Sequence, residues 1–165
     1  MSDVAVIIVA AGKSTRFNDK KDKKPFVSVN ARALWLHSVD RFIQRDDVKQ
    51  LILVIAEDDQ QIFDERFRAE ATILDVEVVY GGDSRAESVW NGLKTVDEDI
   101  HLVVVHDAAR PCIAEVWLDE LFERAKQTGA AILGTPVVST VKRVTVDGVC
   151  ETISRDGLWE SQTPQ

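Results

Sequence analysis

The chain has 165 residues, of which 45% are hydrophobic and 29% charged, with a mean hydropathy of −0.10. That is enough for one domain with a substantial core, and it excludes a disordered or fibrous chain. Twenty Lys and Arg face 28 Asp and Glu, a net charge of −8, so the surface repels polyanions and no nucleic-acid partner is expected. Cys112 and Cys150 are too few and too far apart for a disulfide framework or a zinc site and are expected as free thiols. There is no basic segment at the start, and the apolar run 4–11 is too short to cross a bilayer. A cytoplasmic protein with no membrane partner is expected.

Val4-Ala5-Val6-Ile7-Ile8-Val9 is a continuous, mostly β-branched run that predicts a central strand buried on both faces of a parallel sheet. Apolar runs at 51–56, 76–80, 102–105 and 130–135 predict further strands. Between them lie four stretches of helical period, 34–44, 58–68, 85–94 and 115–127, and strands alternating with helices predict an α/β fold. In the last stretch Val116, Leu118, Leu121, Phe122 and Ala125 mark one face, and Gly129 supplies the stop. Beyond Pro136 the pattern changes to β-branched residues and charge around the turn dipeptide Asp147-Gly148, which predicts a β-hairpin over 137–149. Such an arm has little core of its own and is expected to pack on a partner. Without repeats or linkers, the expected organisation is an α/β domain over 1–136, an arm over 137–159, and the start of a return to the sheet at 160–165.

Charge is concentrated in one place. Over 13–24 there are six basic residues and two acidic ones, a net +4 that leaves −12 for the rest. A compact basic island on an acidic chain suits a small anion such as a nucleoside triphosphate, although a solvated lysine loop has the same composition. Gly12-Lys13-Ser14-Thr15 looks like the end of a P-loop, but the glycine that must open that loop is replaced by Ile7, within a strand. A strand, a small-residue turn and a basic tail remain, and backbone N–H groups there approach phosphates closely. Arg16 is suited to fork phosphate oxygens, and Lys24, just before Pro25, to place a compact charge beside them.

Ala10-Ala11-Gly12 with Arg16 and Lys24 resembles the signature loop of nucleotidyltransferases that make activated CDP or NDP compounds. Four further segments follow in order: Gly81-Gly82-Asp83-Ser84-Arg85-Ala86-Glu87-Ser88-Val89, His106-Asp107-Ala108-Ala109-Arg110-Pro111, Thr140-Val141-Lys142-Arg143, and Arg155-Asp156-Gly157-Leu158-Trp159 running into Gln162-Thr163-Pro164-Gln165. Together they closely resemble the 2-C-methyl-D-erythritol 4-phosphate cytidylyltransferase family, from Val4 to the last residue. Ribitol-5-phosphate cytidylyltransferases share much of the pattern, but their Asp-Ala-Ala-Arg and Thr-x-Lys-Arg segments usually read differently.

The resemblance implies a Rossmann-like nucleotidyltransferase fold with a mainly parallel sheet, helices on both faces and a projecting β-arm. It also implies attack by a sugar-alcohol phosphate on the α-phosphorus of CTP, with Mg²⁺ as cofactor and pyrophosphate leaving. Arg16 and Lys24 would stabilise the phosphoryl charge, and Ala10, Ala11 and Gly12 would hold the triphosphate. Gly82, Asp83 and Ser88 would read cytosine, although 81–84 also reads as an ordinary turn and helix cap. Asp107, read as a buried carboxylate at a strand end where α/β ligands gather, would sit near the metal and the substrate hydroxyls. The plainer alternative is a carboxylate ordering its own turn. Arg110, Thr140, Arg155 and Thr163 match positions that grip the substrate, and the arm would reach a second subunit to complete a homodimer.

His106 is read as a structural hydrogen-bonder. Leu158 and Trp159 are read as interface anchors, and Trp35, Trp90 and Trp117 as residues of helix faces. Family chains continue past Thr-Pro-Gln with further helices, a final strand and a lysine for the substrate phosphate. Three classes therefore stay open for this sequence: cytidylyltransferase, P-loop-like NTPase or kinase, and a non-catalytic nucleotide-binding or dimerisation fragment.

Overall fold

A computed structural model describes residues 3–12 and 23–165. Strand β1 (Val4–Val9) leads, across the undescribed residues 13–22, to a 3₁₀ turn (Lys24–Phe26), a two-rung hairpin of β2 (Ser28–Val29) and β3 (Arg32–Ala33), and helix α1 (Leu34–Val39). The next stretch is β4 (Val48–Ile55), a 3₁₀ turn (Glu57–Asp59), α2 (Gln60–Arg66), α3 (Arg68–Ile73) and β5 (Val76–Tyr80). It is followed by α4 (Arg85–Leu93), β6 (Leu102–Asp107) and α5 (Glu115–Thr128). Four short strands close the chain: β7 (Gly134–Pro136), β8 (Val141–Val144), β9 (Cys150–Ile153) and β10 (Trp159–Ser161).

The main sheet is parallel, in the order β5-β4-β1-β6. Because side chains alternate across a strand, β1 and β4 feed two cores. Val4, Val6, Ile8, Leu51, Leu53 and Ile55 meet Trp35 and Phe42, then Phe63 and Phe67 at α2, and Leu118, Leu121 and Phe122 of α5. Ile7, Ile52 and Val54 face the other way, against α4, where a Cβ on Gly92 would lie 2.8 Å from Ile7 Cγ2. Burial on both faces is the reason the β1 sequence has no polar alternate residue. Among the described residues no helix is long and apolar enough to cross a membrane.

Three features depart from the sequence reading. The helical stretch 58–68 is broken at Phe67 (φ −135°, ψ −5°) and restarts as α3; the Phe67 ring packs with Phe26, Phe63 and Trp35, and this tertiary cluster overrides helical propensity. The run 130–135 does not join the parallel sheet. Ile132 is exposed, Leu133 exchanges backbone bonds with Gln162 and Pro164, and β7 pairs antiparallel with β10. On the edge of β6 away from β1, Val105 instead exchanges both backbone bonds with Gln165. Finally, the helical stretch 34–44 is α-helical only to Val39 and continues as turns. Trp35, Trp90 and Trp117 lie on helices as expected, Trp35 in the core and the other two largely exposed.

The other local signals have clear counterparts. Gly129 takes the left-handed conformation (φ +83°) that ends α5, which glycine adopts without a Cβ clash. The hairpin turns at Thr145–Gly148, with a Gly148 N–H to Thr145 carbonyl bond of 2.9 Å. The β7/β10 ladder forms a stem, β8 and β9 form an antiparallel tip, and Val138, Val144, Val146, Val149 and Trp159 along it are exposed. Both cysteines are free and exposed.

Candidate nucleotide site

β1 has β4 on one side and β6 on the other, so the strand order reverses at β1. In open α/β sheets the crevice outside the carboxyl ends at such a reversal is where ligands bind. Val9 and Asp107, the last residues of β1 and β6, are register partners. Beyond them the chain diverges: Ala10 N–H bonds to Val54 O (2.7 Å) and Ala108 N–H to Val9 O (3.0 Å). The opening is a cavity of about 480 Å³ whose walls include Ala10, Ala11, Gly12, Lys24, Gly82, Asp83, Ser88, Asp107 and Arg110. Nine of the residues singled out from the sequence, from Ala10 to Arg110, are thereby brought together.

The 81–88 wall is a capped turn in its own right. Ser84 accepts from Glu87 N–H (3.1 Å), while the Glu87 carboxylate accepts from Ser84 N–H (3.0 Å), a complete capping box on α4. The buried Ser88 hydroxyl accepts from Gly82 N–H (3.2 Å) and donates to the Ser84 carbonyl (2.9 Å). Its bonding therefore holds the Gly82 backbone in place. A Cβ on Gly81 would stand 2.6 Å from Ala11 Cβ and from Ser88 Oγ, and one on Gly82 would stand 2.6 Å from Glu87 Cβ. Close packing inside the protein demands both glycines before any ligand is considered.

Asp107 is less buried than the sequence suggested, because its side chain, at the mouth of the crevice, keeps 30% exposure. Arg85 of α4 donates to Oδ1 at 3.2 Å and Arg110 lies 3.2 Å from Oδ2. Arg85 stands inside the 81–89 motif, but a contact 22 residues away in sequence leaves no local signal of its partner. With Lys24, Arg85 and Arg110 against Asp83 and Asp107, the charged lining is net positive on a strongly acidic chain, which favours an anion.

Thr163 adjoins this wall, its hydroxyl 3.4 Å from Asp107 N–H. With Arg110 and Trp117 it lines a second cavity of about 660 Å³. Thr140 and Arg155 are not part of either lining: both are exposed on the arm, where Arg155 donates to the Val138 carbonyl. Arg16, like Lys13 and Ser14, lies outside the described residues.

His106 is fully buried beside Phe42. Burial pushes its imidazole down to about 4 from an ordinary 6.5, partly offset by the backbone bond at Arg110. Nε2 lies 3.0 Å from the Arg110 carbonyl, and a carbonyl only accepts, so Nε2 carries the proton. Nδ1 has no partner among the described residues. A neutral imidazole holding the Arg110 backbone fits a structural role.

A parallel sheet with helices on both faces, opening at the strand reversal onto a small-residue turn, a lysine and a glycine-rich capped turn, is the architecture of an α/β nucleotide-binding protein. The model of the family described as 2-C-methyl-D-erythritol 4-phosphate cytidylyltransferase matches residues 4–165, and the chain belongs to that family, whose cytidylyltransferase activity is its own. A relative of that name from Rhodopirellula baltica is 38% identical over 99% of this chain and 71% of its own length. One from Bacillus licheniformis is 38% identical over 97% of this chain and 68% of its own. The crystal structure of the Francisella tularensis 2-C-methyl-D-erythritol 4-phosphate cytidylyltransferase superposes with a TM-score of 0.77 at 29% identity, over 99% of this chain and 71% of that one.

Proposed function

We propose that the crevice at the ends of β1 and β6 holds CTP and that its residues divide the work of cytidylyl transfer among them. The backbone of Ala10, Ala11 and Gly12 cradles the triphosphate, and the 82–88 turn meets the base through Gly82 and Asp83, with Ser88 fixing the backbone of Gly82. A phosphate oxygen of 2-C-methyl-D-erythritol 4-phosphate forms a bond to the α-phosphorus as the bond to the α,β-bridging oxygen breaks and pyrophosphate leaves. The attacking phosphate is already ionised, so no general base is required; rate comes from positioning and from cations placed where charge develops. Lys24 and Arg16 take that role. Arg110, Asp107 and Thr163 orient the second substrate from the β6 side.

Mg²⁺ is the cofactor of this reading. Among the described residues no cluster of three or more His, Cys, Asp or Glu could cage an ion, but Mg²⁺ is commonly held by one or two carboxylates together with nucleotide phosphates. Asp107 fits that mode, since each carboxylate oxygen has a lone pair beyond its arginine contact. Bound there with the nucleotide, the ion would neutralise phosphate charge.

The arm is read as the arm of a homodimer. Its exposed Val138, Val144, Val146, Val149, Leu158 and Trp159 suit burial against a second copy, which would carry Thr140 and Arg155 to the neighbouring crevice. A dimer by light scattering is the expected outcome, and a monomer at high concentration removes the arm's role.

The observation that carries the whole reading is the convergence of 10–12, Lys24, the 82–88 turn, Asp107 and Arg110 on one cavity. It is tested by pyrophosphate release from CTP with 2-C-methyl-D-erythritol 4-phosphate or ribitol 5-phosphate as acceptor. Turnover with the first is expected. Turnover with the second alone, or binding of CTP without turnover, contradicts it.

A further inference from the structure

Lys24 is the exposed member of a segment fastened on both sides. On its C-terminal flank Pro25 and Phe26 are buried, with the Phe26 ring stacked on Phe67 (centroids 5.5 Å) and tilted against Phe63 (6.2 Å). On its N-terminal flank the Lys23 ammonium lies 2.8 Å from Oδ1 and 2.9 Å from Oδ2 of Asp59, 36 residues away. Asp59 is 5% exposed, and a carboxylate so far removed from water persists only with a partner.

The position of Asp59 makes that partnership informative. It is the last residue of the 3₁₀ turn that runs into α2, with helical backbone (φ −95°, ψ −2°), and its side chain makes no bond to the first N–H groups of α2. The carboxylate is committed instead to a long-range contact with the residue beside Lys24. Phe63 stands one turn further along, within α2, and Phe67 directly follows its last residue, so both fastenings of Lys24 are made by α2 and the residues that flank it.

We propose that Asp59 is a positioning residue for Lys24: through Lys23 it fixes the N-terminal flank of the segment so that the Lys24 amine is held over the phosphate site. The proposal rests on the reading of Lys24 as the amine that stabilises the phosphoryl charge. Its physical content is preorganisation. A long, flexible lysine side chain contributes at a transition state in proportion to how well its base is held, and α2 is the mount.

The test compares Lys23→Met, Lys23→Arg, Asp59→Asn and Lys24→Ala in the full chain, with kcat from pyrophosphate release and CTP affinity from calorimetry. Lys24→Ala is expected to lower kcat on the order of 10²- to 10³-fold. Lys23→Met and Asp59→Asn should each lower kcat about 10- to 100-fold while leaving CTP affinity within about twofold. Lys23→Arg, which keeps the ion pair, should retain kcat, and the double variant Lys23→Met/Asp59→Asn should be no slower than either single change. Lys23 is partly exposed, so Lys23→Met keeps the test valid if Asp59→Asn does not fold. Wild-type kcat in Lys23→Met beside an impaired Lys24→Ala overturns the positioning role alone. An equal loss in Lys23→Arg, or a parallel loss of CTP affinity, also overturns it. Wild-type kcat in Lys24→Ala overturns the underlying reading of Lys24 and the proposal with it.

Discussion

The sheet and the arm are held together by different means. In β1 every residue from Val4 to Ile8 is buried, and its ladders to β4 and β6 are closed from both faces by helices. In the arm, β8 and β9 pair over four rungs without a single buried residue, and their side-chain ties are surface contacts such as Arg143 to Glu151 at 3.1 Å. A two-stranded ribbon in water is marginal at best, whereas a doubly covered parallel sheet is the most protected element of an α/β domain. The crevice residues stand at the carboxyl ends of the covered sheet. Thr140 and Arg155 stand on the exposed arm, and the role proposed for them depends on a second copy that packs against it.

Substitutions in the crevice and on the arm should behave differently. The largest expected effect belongs to the crevice: Lys24→Ala should lower kcat on the order of 10²- to 10³-fold with CTP affinity little changed, because in the proposed reaction the amine acts mainly on charge developed in the transition state. Equal losses in affinity and rate would make Lys24 an ordinary binding group. Gly81→Ala should be next. Its Cβ would meet Ala11 and Ser88 at 2.6 Å, so an overpacking loss of about 1–3 kcal/mol in denaturant unfolding is expected, with weaker CTP binding. Wild-type stability in that variant would show that the turn yields.

On the arm the expected signature is a split. Thr140→Ala and Arg155→Ala should leave unfolding and CTP binding unchanged while raising the KM for the sugar phosphate about tenfold or more; a loss of CTP affinity would place them at the nucleotide instead. The smallest effect is expected for Arg143→Ala, within about 0.5 kcal/mol, because an exposed ion pair contributes little.

His106 offers a test by pH. Its folded value of about 4 lies below the ordinary 6.5, so between these values the unfolded chain binds a proton that the folded chain does not. Its contribution to stability is complete above pH 6.5 and is lost as pH falls toward 4. Nuclear magnetic resonance should find a neutral imidazole protonated at Nε2 down to about pH 5; a midpoint near 6.5 would mean that the ring is solvated and the Arg110 backbone is held otherwise.

Where the sequence carried a local physical signal, the structure could be read from it. The unbroken β-branched run of β1, the Gly129 stop and the Asp147-Gly148 turn are of this kind. The crevice wall was legible by another route, through contiguous motifs that resemble those of the cytidylyltransferase family. The rest depended on contacts between distant segments. Helical periodicity runs through Phe67 without a glycine or proline, so the break between α2 and α3 is visible only once the aromatic cluster is assembled. The 130–135 run has strand-like composition, but Leu133 pairs with 162–164 and Ile132 faces solvent. Around the site, Arg85 to Asp107 and Lys23 to Asp59 join charges 22 and 36 residues apart, and neither partnership leaves a local signal. Ser88, which also lines the crevice, ties its own turn through bonds to Gly82 and Ser84 that the motif alone does not disclose.

The most direct test of the central claim, that the crevice at the reversal of strand order is a cytidine nucleotide site, is a thermal-shift panel of CTP, UTP, ATP and GTP, each with and without Mg²⁺. At about a hundred times its dissociation constant a specific ligand adds about 2.7 kcal/mol, roughly 5–10 °C for a domain of this size. The account predicts such a shift for CTP, strengthened by Mg²⁺, with little or none for the purine nucleotides. A larger shift with ATP or GTP, or a cooperative transition that no nucleotide moves, would contradict it.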